Sequence, residues 1–290
     1  MRVAISLTTL PDRYDTLYTT LQSLYNQIIK ADVIYLTLPL RAKRLNKEYP
    51  DLPQKIKDLC TLVRCDVDYG PICKIYGALE RETDPETIII TVDDDVIYPK
   101  DFIKIMVEKS KLKPKACITG SGVLIHNGYM SINTNFRGLT FLNGFMCGFP
   151  INNYRKIDIV QGISGVLYKR GFFESADKLY DKLYKYTEDI DIFRSDDILL
   201  SSYLCSKNIK RITFKDMPLV TVSIATEDAL SSNLTGMLKV FRNAVYKCQK
   251  LGLLHKLEKS STIYSPYFKF NFWVIMVVLI LILIWIYISN

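Results

Sequence analysis

Thr87-Ile88-Ile89-Ile90-Thr91-Val92-Asp93-Asp94-Asp95 is the stretch on which the fold turns. Its β-branched residues favour extended backbone. An apolar run without alternation belongs to a strand buried on both faces, as parallel sheets require. Three adjacent carboxylates then follow, which raise one another's pKa and resist burial. The plain reading is an acidic turn, or a helix cap before Pro99. The functional reading is a divalent cation, because carboxylates suit Mg²⁺ and Mn²⁺, and one or two of them plus substrate phosphates complete a site. Alternation along an extended end sends Asp93 and Asp95 to one side and Asp94 to the other.

Upstream, short apolar runs alternate with helical patterns. Arg2-Val3-Ala4-Ile5-Ser6-Leu7 reads as a strand that ends in the turn-rich Thr8-Thr9-Leu10-Pro11-Asp12-Arg13. Leu17, Leu21, Leu24 and Ile28 recur at helical spacing, Val33-Ile34-Tyr35-Leu36-Thr37-Leu38 is a strand closed by Pro39, and Leu62-Val63-Arg64 is another. The spacing predicts a helix over 72–80 and one after Pro99 carrying Phe102, Ile103, Met106 and Val107. Strands separated by helices make an α/β fold with a mainly parallel sheet flanked by helices. Ligands collect outside the carboxyl ends of such strands, so residues 8–13 and 93–95 are expected on one rim.

Between residues 120 and 160 the pattern loosens into Gly, Asn and aromatics. Gly162-Ile163-Ser164-Gly165-Val166-Leu167-Tyr168 follows as a strand, with helices over 172–186 and 196–207 and an amphipathic helix carrying Met237, Leu238, Phe241, Val245 and Leu251. The glycines at 162 and 165 lack the Walker spacing and suit a close backbone approach to an acceptor or a tight bend. The aromatic stretch 129–149 reads equally as acceptor surface or core. His126 reads as an ordinary loop histidine.

Hydrophobic content of 49% is ample for a core, which argues against disorder. Part of it is local: residues 272–288 are all apolar or aromatic, with Trp273, Trp285 and Tyr287 near the ends, as expected of a transmembrane helix after a linker over 256–271. A buried core helix is the alternative. No N-terminal run has signal-peptide character. Lys256, Lys259 and Lys269 flank the apolar segment upstream, which by the positive-inside rule puts residues 1–271 on the cytosolic side. Seven cysteines in no paired spacing agree with a reducing compartment, whereas the single sequon at Asn233 points the other way. A formal charge of +8 suits nucleotide diphosphates or an anionic membrane. The basic patch Arg41, Lys43, Arg44 and Lys47 reads as a solvated loop, and no zinc spacing or RNA-binding motif supports nucleic acid as a partner.

Thr91-Val92-Asp93-Asp94-Asp95-Val96-Ile97-Tyr98-Pro99 resembles the DxD segment of GT-A fold glycosyltransferases, whose nucleotide-sugar domain is Rossmann-like. The opening strand with Thr8, Thr9, Pro11 and Arg13 is similar to that family's nucleotide-binding start. Gly70-Pro71-Ile72-Cys73-Lys74 resembles a segment ahead of the DxD strand, and Ser195-Asp196-Asp197 the acidic motif that supplies the base in inverting members. The resemblance spans about residues 1–225. It implies a nucleotide-sugar-binding half over 1–118 and an acceptor-binding half over 119–255. Asp95 would bind Mn²⁺ or Mg²⁺ directly, while Asp93 would bind it through water or hold the donor ribose, a role Asp94 could share. Thr8, Pro11 and Arg13 would frame base and ribose, Lys74 would offer charge to the donor, and Asp197 or Asp196 would be the general base. The acceptor would be a glycan, glycolipid or glycoprotein.

Many such enzymes complete the metal site with a late histidine. Here only His126 and His255 exist, so Ser223, Glu227, Asp228, water or nothing would take that place. The competing expectations are a nucleotidyl- or phosphotransferase using the same metal, and an inactive membrane-bound binding protein. Plain N-capping also accounts for Asp196 and Asp197.

Overall fold

In the first 112 residues strands and helices follow one another. β1 (Val3–Leu7) leads to α1 (Tyr14–Tyr25) and β2 (Val33–Pro39); a small hairpin, β3 (Arg41–Ala42) and β4 (Lys47–Glu48), precedes α2 (Gln54–Lys57) and β5 (Thr61–Cys65). A 3₁₀ turn (Gly70–Ile75) continues as α3 (Tyr76–Arg81), followed by β6 (Ile88–Thr91), β7 (Val96–Ile97) and α4 (Phe102–Leu112). This computed structural model describes residues 1–126, 129–133, 139–142, 145–148, 153–184, 186, 188–218, 220–222 and 234–254.

The second part is richer in strands: β8 (Ala116–His126), β9 (Tyr129–Asn133), β10 (Leu139–Leu142), β11 (Phe145–Gly148), β12 (Tyr154–Lys156) and β13 (Ile159–Lys169). A short 3₁₀ turn (Arg170–Phe172), α5 (Ala176–Tyr184), α6 (Ile190–Phe193), α7 (Asp196–Ser206), β14 (Lys210–Phe214), β15 (Thr221–Val222) and α8 (Leu234–Lys250) follow.

The sheet is mixed, with a parallel set of strands on one side. β5, β2, β1 and β6 lie side by side in one direction, with Ser6 of β1 opposite both Tyr35 and Thr91. β13 then runs antiparallel between β6 and β8. The far edge of β8 takes β14, in parallel, at its start and β9 at its end, and β10 and β11 extend the sheet antiparallel.

Alternation along β1 explains the unbroken apolar run. Val3, Ile5 and Leu7 face a core with Leu17 and Leu21 of α1 and Phe102 and Met106 of α4. Ala4 faces the opposite core, with Ile72, Ala78, Leu199 and Ala244 from the 3₁₀ turn, α3, α7 and α8. Ile89 and Ile90 of β6 divide in the same way, each fully buried. At about 1.5–3 kcal/mol per buried aliphatic side chain, both layers hold this strand in place.

Several element ends differ from expectation. α1 stops at Tyr25 and Ile28 lies outside it, 65% exposed, with its N–H donating to the Lys100 carbonyl. The segment 72–80 is a 3₁₀ turn before it is α-helix, because Gly70 takes φ +79° and Pro71 sits in the first turn. The helix expected from 172 begins at Ala176, after the 3₁₀ turn at Arg170–Phe172. His126 ends a strand rather than lying in a loop, its backbone paired with Tyr129. The loosened stretch contains β8 to β12, while the side chains of 129–149 lie outside the described residues.

Met1–Glu258 forms one compact unit and Lys259–Asn290 a second. The linker and apolar segment lie outside the described residues, among which no helix is long and apolar enough to cross a membrane. Cys60, Cys65, Cys73, Cys117 and Cys248 are free thiols.

Candidate active site

β1 and β6 are parallel neighbours, so the segments after their carboxyl ends meet on one rim, as the sequence indicated. Residues 93–95 do not continue the strand. β6 ends at Thr91, the chain turns at Asp94 and Asp95, and β7 pairs with β15 beyond it. The turn replaces the alternation expected of an extended end: Asp93 points one way, and Asp94 and Asp95 both approach Arg13.

Asp94 is buried and structural in its contacts. Thr9 Oγ1 donates to its Oδ2 at 2.5 Å, Arg13 Nη1 to its Oδ1 at 3.2 Å, and Thr20 Oγ1 to its carbonyl at 2.9 Å. Burial raises its pKa and the Arg13 charge opposes that rise. Arg13 also lies 3.7 Å from Asp95 Oδ2. The Asp95 carboxyl is pushed up to about 6, first by burial and then by the charges of Asp94 and Asp93.

Asp93 turns toward Lys74, whose Nζ donates to Asp93 Oδ1 at 2.5 Å. The same Nζ lies 2.8 Å from Asp196 Oδ2, an ion contact without hydrogen-bond alignment. Burial alone would lower the Lys74 pKa, but Asp196, Asp93 and Asp197 outweigh it and raise it well above the usual range. Asp93 N–H donates to the Tyr98 hydroxyl at 3.1 Å, and that hydroxyl donates to the Ile163 carbonyl at 3.4 Å.

Asp196 and Asp197 open α7 directly after Ser195, in the first turn where the helix dipole favours negative charge. Asp197 Oδ1 accepts the Gly162 N–H at 2.9 Å. Burial and then the Asp196 charge hold the Asp197 carboxyl well above the ordinary carboxylate range.

A bulge in β13 brings the two sides together. Between Gln161 and Val166 the strand loses register with β8, where Gly162-Ile163-Ser164-Gly165 stand opposite the single residue Gly120. Bulges redirect a strand and gather beside functional sites. A Cβ at Gly162 would stand 3.0 Å from Lys74 Nζ, 3.1 Å from Asp93 Oδ1 and 3.2 Å from Asp197 Oδ1. Side chains from separate segments thus converge around one glycine.

Of the expected site residues, Asp93, Lys74, Asp196 and Asp197 form one cluster, and Asp94, Asp95 and Arg13 a second reached through the same turn. Thr8 is spent on the fold, its Oγ1 donating to the Thr37 carbonyl at 2.8 Å. Pro11 is buried in the turn before α1. Ser223, Glu227, Asp228 and His255 lie outside the described residues, among which no group of three or more metal-ligating side chains forms. From sequence, no individual site role falls to Thr9 or Tyr98, which lie within the resembling segments, and Gly162 reads only as a close backbone approach or tight bend.

No family model matches the chain, and no curated protein matches it. Among solved structures, it is similar to the crystal structure of S. aureus TarS 1–349 at 10% sequence identity and a TM-score of 0.44. The match covers 77% of this chain and 60% of that one, so the chain spans about three fifths of the length of the structure it matches.

Proposed function

We propose that the chain is a glycosyltransferase that moves a sugar from a nucleotide-diphosphate donor to an acceptor hydroxyl, with inversion and with Mn²⁺ or Mg²⁺ at the rim. The observation that carries this reading is the convergence of Asp93, Lys74, Asp196 and Asp197 on the Gly162 bulge, at the carboxyl end of a parallel sheet. Ligands of open α/β sheets bind at that end.

Carboxylates suit a hard cation, and here they stand in two groups, Asp93, Asp196 and Asp197 around the ammonium of Lys74 and Asp94 and Asp95 beside the guanidinium of Arg13. Burial first, and then the neighbouring carboxylates, raise the pKa values of Asp95 and Asp197. Asp95 would hold the cation directly and Asp93 through water, and the cation when bound neutralises charge developing on a leaving diphosphate.

The chain's own groups supply the rest. Asp197 is the better base of the pair, because Asp196 is committed to Lys74 while Asp197 is raised in pKa and oriented by the Gly162 N–H. As the acceptor oxygen bonds to the anomeric carbon, the bond from that carbon to the phosphate oxygen breaks and the hydroxyl proton passes to Asp197. The nucleoside diphosphate leaves. We place the apolar segment 272–288 in a bilayer as the anchor of this domain.

The test is a donor screen of the full chain in detergent, with and without Mn²⁺. Release of nucleoside diphosphate with sugar transfer is the expected result, and Asp197→Asn should lower turnover by about 10²–10⁴-fold. Pyrophosphate or a phosphorylated product would move the assignment to nucleotidyl or phosphoryl transfer. Absence of turnover with every donor would leave a binding protein.

A further inference from the structure

The resemblance assigns Lys74 to the donor, but its surroundings point elsewhere. Its side chain is 7% exposed, and its ammonium bridges Asp93, 2.5 Å away at the end of β6, and Asp196, 2.8 Å away at the start of α7. An ammonium has three donor protons and no acceptor, and two carboxylates already face this one.

The backbone that carries Lys74 is fixed independently. Gly70 N–H donates to Asp68 Oδ1 at 2.7 Å, and the Tyr180 hydroxyl donates to the Ile72 carbonyl at 3.1 Å. A Cβ on Gly70 would stand 2.9 Å from the Phe193 carbonyl oxygen, so the 3₁₀ turn lies flush against the end of α6. Ser195, Asp196 and Asp197 follow α6 within four residues. The lysine is a strut between two segments, mounted on a third.

We propose that Lys74 is a positioning residue: by tying Asp93 to Asp196 it seats the first turn of α7 against the β13 bulge and so presents Asp197 to the acceptor. Removing the ammonium leaves two carboxylates facing each other without their cation. That costs more than removing an ammonium and a carboxylate together, because an unpaired buried charge is the expensive state. The seating claim concerns the fold alone, whereas its effect on turnover rests on the transferase reading.

The experiment uses the full chain in detergent and three variants: Lys74→Met, Asp196→Asn and the two combined. Amide hydrogen exchange is expected to quicken at residues 160–166 and 194–199 in Lys74→Met, with β1 and β2 unchanged. The combined variant should melt above Lys74→Met, because it removes one of the two orphaned charges and their mutual repulsion. With an active donor in hand, kcat should fall by about 10²-fold, the cost of misplacing a reacting group by about an ångström, while donor KM stays within about 3-fold. A rise in KM at constant kcat, with exchange at wild-type rates, would return Lys74 to the donor and overturn the proposal. If Lys74→Met does not fold, the combined variant decides: faster exchange in the two segments supports the strut, and wild-type exchange rejects it. Failure of every donor would defeat the transferase reading yet leave the exchange result standing.

Discussion

Asp95 carries the clearest pH signature of the rim. Its pKa stands at about 6 in the folded chain instead of 3.8, so the folded state keeps its proton over a range where the unfolded state has released it. Stability therefore falls as pH rises from about 4 to 6 and stays lowered above that window. Asp95→Asn removes this dependence. In metal-free buffer the variant should gain about 1–3 kcal/mol on wild type between pH 4 and pH 7, since a tenfold change in proton affinity corresponds to about 1.4 kcal/mol. Urea unfolding at the two pH values measures the gain; an unchanged difference between the proteins would show that Asp95 does not hold the strain. The same titration should follow metal affinity, because a carboxylate must lose its proton to bind a cation.

At the scale of elements, β13 concentrates the unusual geometry. Gly165 takes φ +74°, and a Cβ there would fall 2.4 Å from the Phe102 ring. Gly165→Ala should cost about 2–4 kcal/mol, from the left-handed backbone and from overpacking. Adding Phe102→Leu should return the overpacking part and leave the backbone part. Chemical denaturation of the single and double variants separates them, and a neutral Gly165→Ala would mean that the bulge relaxes freely.

The same strand shows where sequence stops being informative. β6 was legible because Ile88-Ile89-Ile90 needs two covering layers, and α7 because Ser195-Asp196-Asp197 is the residue pattern of a helix start, although the Ser195 hydroxyl donates to the Asp191 carbonyl and not to the helix. Both lie within a residue or two of expectation. The direction of β13 was not legible. Local pattern specifies burial, and an antiparallel strand between two parallel ones is buried on both faces too. The pairing of Asp93 with Lys74 was equally hidden, because a turn at Asp94 cancels the period-two rule that a strand would obey. The rim could be read from residue order alone; which carboxylate meets which cation across it could not.

For the whole molecule, the proposed anchor makes a separate claim. The full chain should sediment with membranes, resist alkaline carbonate and enter solution with detergent. A chain ending at residue 258, the limit of the first compact unit, should remain in the supernatant. Recovery of the full chain in the carbonate supernatant would remove the segment 272–288 from the bilayer.

The place of β13 in the sheet has a consequence during synthesis. The strands that flank it, β6 and β8, are complete once residue 126 has been made, yet their facing edges find no partner until residue 169 has followed. At about 5–20 residues per second, a ribosome leaves that slot open for a few seconds, with unpaired amides ready to accept a stray strand. Closing it is also the event that delivers Gly162 to Asp93. Protease resistance of stalled nascent chains should therefore appear abruptly, and only after the eleven residues of this strand have cleared the exit tunnel.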